Sequence, residues 1–273
     1  MTFKQFKFYI QANWIKTLYF NFKLLPFKQA IKCPILLFGK CDVNIGKDAM
    51  LTQDEPQPFA STFIGNSCSA VWGFNKRAIE TYIDLRGHLH IIGNKQFIGN
   101  GCRLIVEDTG TLTLGNHIVI NDRTKICCQH EIIIGDYTGI SWECQFFDTN
   151  FHYMTDTSLR VGRKNGTIRI GRNCWIGNRC TIQKNTILEE DSILASNSLI
   201  NKDFSGIKQG TFAGTPAKHI CSGKLRIRNV AMENAIERCF REHPDIDFVS
   251  VNIAESKKYN SSENLGVEPI LNK

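Results

Sequence analysis

One histidine in this chain stands in company that suits proton transfer. His152 lies in the stretch Phe147 to Thr167, with Asp148 and Asn150 just before it and Arg160, Arg163 and Lys164 after it. An imidazole titrates near neutral pH, so it can take a proton from a weakly acidic group and pass it on. Asp148 and Asn150 are the candidates to fix its tautomer or to hold a substrate. The setting matters as much as the residues. The sequence on either side is periodic, and an excursion of about twenty residues inside a regular repeat is uncommon unless it has a function.

The periodic sequence is what must position that excursion. Counted in sixes from Ile170, an aliphatic residue recurs at Ile176, Ile182, Leu188, Leu194 and Ile200. Two residues before each of these five stands a small one: Cys174, Cys180, Thr186, Ser192 and Ser198. In extended chain, residues two apart share a side, so each small-x-aliphatic triplet turns its outer members inward. Gly171, Asn173, Gly177, Asn185, Asp191 and Asn197 fall between triplets and are turn formers that tolerate positive φ. A short strand plus a turn, repeated every six residues, predicts a parallel β-helix, an all-β solenoid whose strands bury nothing until stacked. The rhythm also runs through Ile92, Ile98 and Leu104, then Leu114, Ile120 and Ile126, then Ile134, Ile140 and Phe146, with phase slips that read as corner loops. Ile45-Gly46 and Ile64 to Cys68 read as early coils, whereas Gln53 to Ala60 and Phe74 to Thr81 break phase.

The solenoid predicted over residues 42–220 is flanked on both sides. Residues 1–41 carry Lys4, Lys7, Lys16, Lys23, Lys28, Lys32 and Lys40 with no acid before Asp42, interleaved with aromatics. A helix is predicted over Met1 to Leu24, stopped before Pro26. It has two readings: docked on its own β-helix or a neighbouring subunit, or lying through residues 1–32 on an anionic membrane surface. Lysines recur too often for a signal peptide or a spanning helix, which predicts a cytoplasmic protein, with the inner membrane face as the site of any association. Residues 221–273 predict a helix over Lys224 to Arg241, stopped by Pro244, and a loose tail beyond Val251.

The chain has 273 residues, a formal charge of +7 and 11 cysteines. That odd number, without CxxC or Cys/His zinc spacing, argues against a disulfide framework. Cys68, Cys102, Cys144, Cys174 and Cys180 occupy the small inward position and are predicted to be core thiols in a reduced compartment.

Ile170-Gly171-Arg172-Asn173-Cys174-Trp175-Ile176-Gly177, the hexads up to Asn201-Lys202-Asp203, and Ala213-Gly214-Thr215-Pro216-Ala217-Lys218 resemble the closing half of hexapeptide-repeat acyltransferases. The likeness is greatest to the saccharide O-acetyltransferases, among them galactoside, maltose, antibiotic and capsule acetyltransferases, and covers about Ile92 to Ile220. The resemblance implies a left-handed β-helix, a homotrimer, and acetyl-CoA bound as acyl donor between adjacent subunits. It implies that His152, about two dozen residues before Trp175, is the catalytic base. It also implies CoA contacts at Trp175, Asn178, Ser196, Asn201, Lys202 and Lys218. Ser196-Asn197 stands where the family more often has Ala-Gly, and Asn201 where it more often has Thr.

The function so implied is O-acetylation of a saccharide hydroxyl by direct transfer, on a surface polysaccharide or its lipid-linked precursor. No metal and no nucleic acid are expected to take part. An amino-sugar acceptor is the alternative in the same fold, since a histidine base serves an amine as well as a hydroxyl. A non-catalytic scaffold is the alternative of another class. A zinc hydratase of the same fold needs three converging histidines, and His88, His90, His117 and His130 are not spaced to supply them beside His152.

Overall fold

The computed structural model describes residues 2–66 and 79–251 and the backbone of 267–270. Ser67, Cys68 and most of the phase break from Phe74 to Thr81 lie outside the described residues. Two compact units are present, Met1–Lys224 and Leu225–Lys273.

In the first unit the repeat becomes a three-sided coil. Among the described residues, one face holds nine strands, the second seven and the third six. Strands consecutive in sequence fall on successive faces: Trp175–Ile176 on the first, Thr181–Gln183 on the second, Thr186–Leu188 on the third, and Ile193–Leu194 back on the first. Six residues are one face and three hexads one turn. Ile140, Ile176 and Leu194 therefore stand in register on the first face, and Phe146, Ile182 and Ile200 on the second. All six are buried, each contributing about 1.5–3 kcal/mol by leaving water.

The small inward residues serve as corner donors as well as compact fillers. Cys144 Sγ donates to the Gly177 carbonyl at 3.0 Å, Cys174 Sγ to Glu189 at 3.2 Å, Cys180 Sγ to Ala195 at 3.0 Å and Thr186 Oγ1 to Ile200 at 3.1 Å. Each ties a corner to the coil above. Cys102, Cys144, Cys174 and Cys180 are buried free thiols, and burial pushes the Cys174 thiol up to about 12, which keeps it protonated and unreactive.

The turns differ from expectation at two glycines. Asn173, Asn185, Asp191 and Asn197 do adopt positive φ, and so does Arg179 at 57°. Gly171 and Gly177 do not. A Cβ on Gly171 would meet the Glu190 backbone nitrogen at 2.6 Å, so these positions are glycine because the next coil stacks against them.

Helices Phe3–Tyr9, Trp14–Leu24 and Phe27–Ala30 replace the single helix predicted over Met1 to Leu24. The break has a tertiary cause. Ala12 forms an antiparallel bridge with Phe38 and Asn13 N–H donates to the Leu37 carbonyl at 2.7 Å, so the chain here follows the first strand. The helix Trp14–Leu24 then closes the open end of the solenoid. Phe20 joins the core, Thr17 Oγ1 accepts from Leu37 N–H at 3.0 Å, and the Asn21 amide accepts from Ile35 N–H and donates to its carbonyl. These side chains satisfy a strand edge that no earlier coil covers. At the other end of the prism, Gly210–Gly214 pairs antiparallel with Ala217–Ser222.

The second unit holds the helix Val230–Glu242, capped by the Asn229 side chain, which accepts from the N–H groups of Ala231 and Met232. It starts six residues later than predicted from Lys224. Phe248–Val251 pairs antiparallel with Val267–Ile270, so the segment predicted as a loose tail contains a strand; its other residues lie outside the described ones.

Candidate active site

The excursion leaves the solenoid between the second-face strand Gln145–Phe147 and the third-face strand Ile168–Ile170. Earlier coils already carry slack at this corner, as between Arg103–Val106 and Thr111–Leu114. Here the slack becomes a hairpin-like arm. Thr149 bridges antiparallel to Asn165 and Thr155 to Val161. Asn150 N–H donates to the Lys164 carbonyl at 2.9 Å and Gly166 N–H to that of Asp148 at 2.8 Å. At the tip, the Asp156 carboxylate receives the Ser158 and Arg160 N–H groups and the Arg160 guanidinium. These bonds, the Arg160 N–H first, hold its carboxyl below the ordinary value.

Asp148 anchors the base of the arm. Fully buried, it accepts from Gln129 N–H at 2.8 Å and His130 N–H at 2.7 Å, one bond to each carboxylate oxygen. Asn150 holds His152 by the main chain, its carbonyl accepting from His152 N–H at 2.6 Å. Neither side chain is bonded to the imidazole. The ring of His152 is exposed and forms no hydrogen bond with a described residue. It lines a recess of about 160 Å³ with Asn150, Met154, Arg163, Lys164 and Lys184.

Lys184, Met154 and Tyr153 are the residues sequence reasoning passed over. Lys184 belongs to the next coil, and its ammonium donates to the Arg163 carbonyl at 2.7 Å, tying the arm to the prism. Counting one full turn of the repeat onward from the arm's return strand reaches this corner, and that count was the available signal.

The residues that the resemblance assigns to CoA fall on two edges of the prism. Trp175 projects from the first face, 39% exposed, its indole N–H donating to Ser141 Oγ at 3.3 Å. Asn178 and Ser196 lie at the corner leading to the second face, where Ser196 Oγ donates to Asn178 Oδ1 at 2.6 Å. Lys218 is exposed on the terminal hairpin beside Ala213. Asn201 and Lys202 are exposed at the corner between the second and third faces, the arm's own corner. The recess that holds His152 thus contains neither Trp175 nor Lys218. Three other histidines are engaged elsewhere: His88 stacks on His90 at 5.9 Å, His90 pairs with Asp54 at 2.7 Å, and His117 stacks on Tyr137.

A family model described as bacterial transferase hexapeptide (six repeats) matches residues 167–202. A Klebsiella pneumoniae protein described as an uncharacterized 24.8 kDa protein in the cps region is 37% identical over 199 residues, 73% of this chain and 84% of its own length. The chain belongs to the bacterial hexapeptide-repeat transferase family. The three-sided coil of this hexapeptide-repeat protein is accordingly the left-handed parallel β-helix. Among solved structures, a variant of AntD, an N-acyltransferase from Bacillus cereus in complex with dTDP and coenzyme A, is 18% identical. It is covered over 96% of its length by 78% of this chain, with a TM-score of 0.44. A hexapeptide-repeat-containing acetyltransferase from Vibrio cholerae complexed with acetyl coenzyme A is 26% identical over 41% of this chain and 61% of its own, with a TM-score of 0.35.

Proposed function

We propose that this transferase is an acetyl-CoA-dependent O-acetyltransferase acting on a saccharide hydroxyl, by direct transfer and with His152 as general base. The observation that carries the reading is an exposed imidazole without a hydrogen-bond partner among the described residues, held by its own backbone on a braced arm. A sugar hydroxyl is a poor nucleophile at neutral pH. His152 takes its proton as the oxygen attacks the thioester carbonyl; the tetrahedral intermediate then expels the CoA thiolate, which receives the proton from the imidazolium. Asp148 and Asn150 act here as positioning residues, since Asp148 shapes the arm through main-chain donors and Asn150 fixes the histidine backbone.

The two-edge distribution fits a homotrimer. A lone prism keeps Trp175, Asn178, Ser196 and Lys218 away from the His152 recess, and a neighbouring copy brings one prism's arm to another's first-face edge. The cofactor then lies between subunits, with Asn201 and Lys202 contributed from the arm's side. A surface polysaccharide or its lipid-linked precursor is the proposed acceptor, in keeping with the cps region named for the Klebsiella relative.

We also propose that the amino-terminal cap works against a membrane. Its inner side is consumed by the core, but Ile15 at 82%, Phe27 at 69%, Leu18, Tyr19 and Phe22 remain exposed among Lys16, Lys23 and Lys28. A second copy would set lysines against lysines, whereas an anionic bilayer surface meets both the charge and the apolar side chains. No helix among the described residues is long and apolar enough to span.

The decisive experiment is CoA release from acetyl-CoA with glycan acceptors, comparing the parent protein with His152→Ala. Acceptor-dependent release lost in the variant supports the reading; equal release in both overturns the role of His152. Ester or amide linkage in the product separates O- from N-acetylation. Flotation with phosphatidylglycerol vesicles, lost in Ile15→Glu/Phe22→Glu, tests the membrane face.

A further inference from the structure

The recess that holds His152 has a neighbour. A second depression, of about 250 Å³, is lined by His130, Tyr153, Arg163, Lys164 and Asn165. Arg163 and Lys164 line both, so whatever sits before His152 lies against these two cations, and Lys184 lines the same recess.

No carboxylate of the described residues lines either depression. The two acids of the arm are already engaged: Asp148 by the Gln129 and His130 N–H groups, Asp156 by Arg160. A cleft on the second face is built differently. There, in about 430 Å³, Arg123 and Arg179 share Glu143, at 3.3 and 2.8 Å. Where arginines serve to tie successive coils together, the protein sets a carboxylate between them. On the arm it leaves the charge of Arg163 and Lys164 open toward the recess.

The remaining groups suit a sugar. The Tyr153 ring is 68% exposed, with the Lys164 ammonium 5.5 Å from its centroid, and offers an aromatic face beside a cation. The Asn165 amide oxygen accepts from Thr149 Oγ1 at 2.7 Å, which orients the amide and leaves its NH₂ group to meet a hydroxyl or an acid oxygen.

We infer that the depression shared by Arg163 and Lys164 beside His152 is an anion subsite, and that the acceptor is an acidic saccharide bearing a carboxylate or a phosphate on the sugar that reacts or the one next to it. Arg163 presents a planar fork that matches either acid group bidentately, and Lys164 adds a point charge. The inference rests on the reading of His152 as the base and specifies which acceptors that base serves.

The test uses the full-length protein and three probes: a neutral glycan, a glycan rich in uronic or sialic acid, and a nucleotide-diphosphate sugar. Initial rates are measured for the parent, Arg163→Ala and Lys164→Gln. The expected result is higher kcat/KM for one acidic probe than for the neutral glycan, with the KM for that probe rising about tenfold or more in each variant. The KM for acetyl-CoA moves little, and the preference weakens with salt. Which acidic probe is preferred separates carboxylate from phosphate. Equal kcat/KM for neutral and acidic probes overturns the inference. So does a variant effect that falls on the KM for acetyl-CoA, which would assign these cations to the cofactor's phosphates. Binding of the same probes to His152→Ala, followed by ligand-observed NMR, gives the charge preference without turnover. Failure of the base and failure of the anion subsite are thereby read apart.

Discussion

The coils from Ile168 to Ile200 and the arm that precedes them between Asp148 and Thr167 are built on opposite plans. In the coils the side chains are committed: the aliphatic of each hexad is buried in a ladder, and most of the small residues two places before donate or accept at a corner. In the arm the backbone and a few side chains at its base and tip are committed, and those facing the recess are not. Main-chain bonds, the Asp148 anchor and the Asp156 staple hold it, while His152, Tyr153, Met154 and Arg163 remain exposed. The solenoid spends its side chains on stability and so has few left for chemistry. The arm does the reverse, so mutations in the two regions should fail in different assays.

The largest effect expected is kinetic. His152→Ala should lower kcat by about 10²- to 10⁴-fold, the usual contribution of a general base, and leave the thermal midpoint within error of the parent. A comparable loss of both activity and midpoint would mean that the arm is structural after all. The mirror case lies in the coils. Phe146→Ala should cost about 3–5 kcal/mol, since the ring is fully buried between Ile126 and Ile182. Denaturant unfolding measures this, and the fraction that remains folded should keep its kcat.

Asp148→Ala probes the joint between the two regions. It removes the acceptor from the part-buried N–H groups of Gln129 and His130, at roughly 1–3 kcal/mol for the pair. Its second signature should be local: trypsin should cut earlier at Arg160 and Arg163, and kcat should fall less than in His152→Ala. If cleavage at the arm is unchanged, Asp148 does not hold it.

How far each region could be read from the sequence follows from the same contrast. The ladder was legible because six residues are one face, so the period of the aliphatics is the period of the fold. The arm was legible as a break in phase, and His152 as the imidazole within it. Its hairpin form was not, because its braces are backbone pairs such as Asn150 with Lys164 that leave no side-chain pattern. Nor was the anchoring of Asp148, whose partners lie nearly a full coil earlier. Gly171 and Gly177 read as turn residues because a sequence cannot distinguish a glycine that needs positive φ from one that needs a close neighbour. The split helix at the amino end was hidden for a related reason: Ala12 pairs with Phe38, a contact that no local propensity encodes.

The smallest expected effect sharpens the contrast within the coils themselves. Glu143 bridges Arg123 below and Arg179 above, and these partners, the Arg179 hydrogen bond first, hold its carboxyl below the ordinary 4.5. A lowered carboxylate pKa contributes stability that is complete above 4.5 and is lost as the pH falls through the folded value. The three side chains are partly exposed, which limits the contribution to about 1 kcal/mol or less. Glu143→Gln should therefore unfold slightly more easily than the parent at neutral pH, and the difference should shrink with added salt and close on acidification. A loss as large as that of Phe146→Ala would show that the coils depend on their charged corners, and would undo the view that their stability resides in the buried ladder.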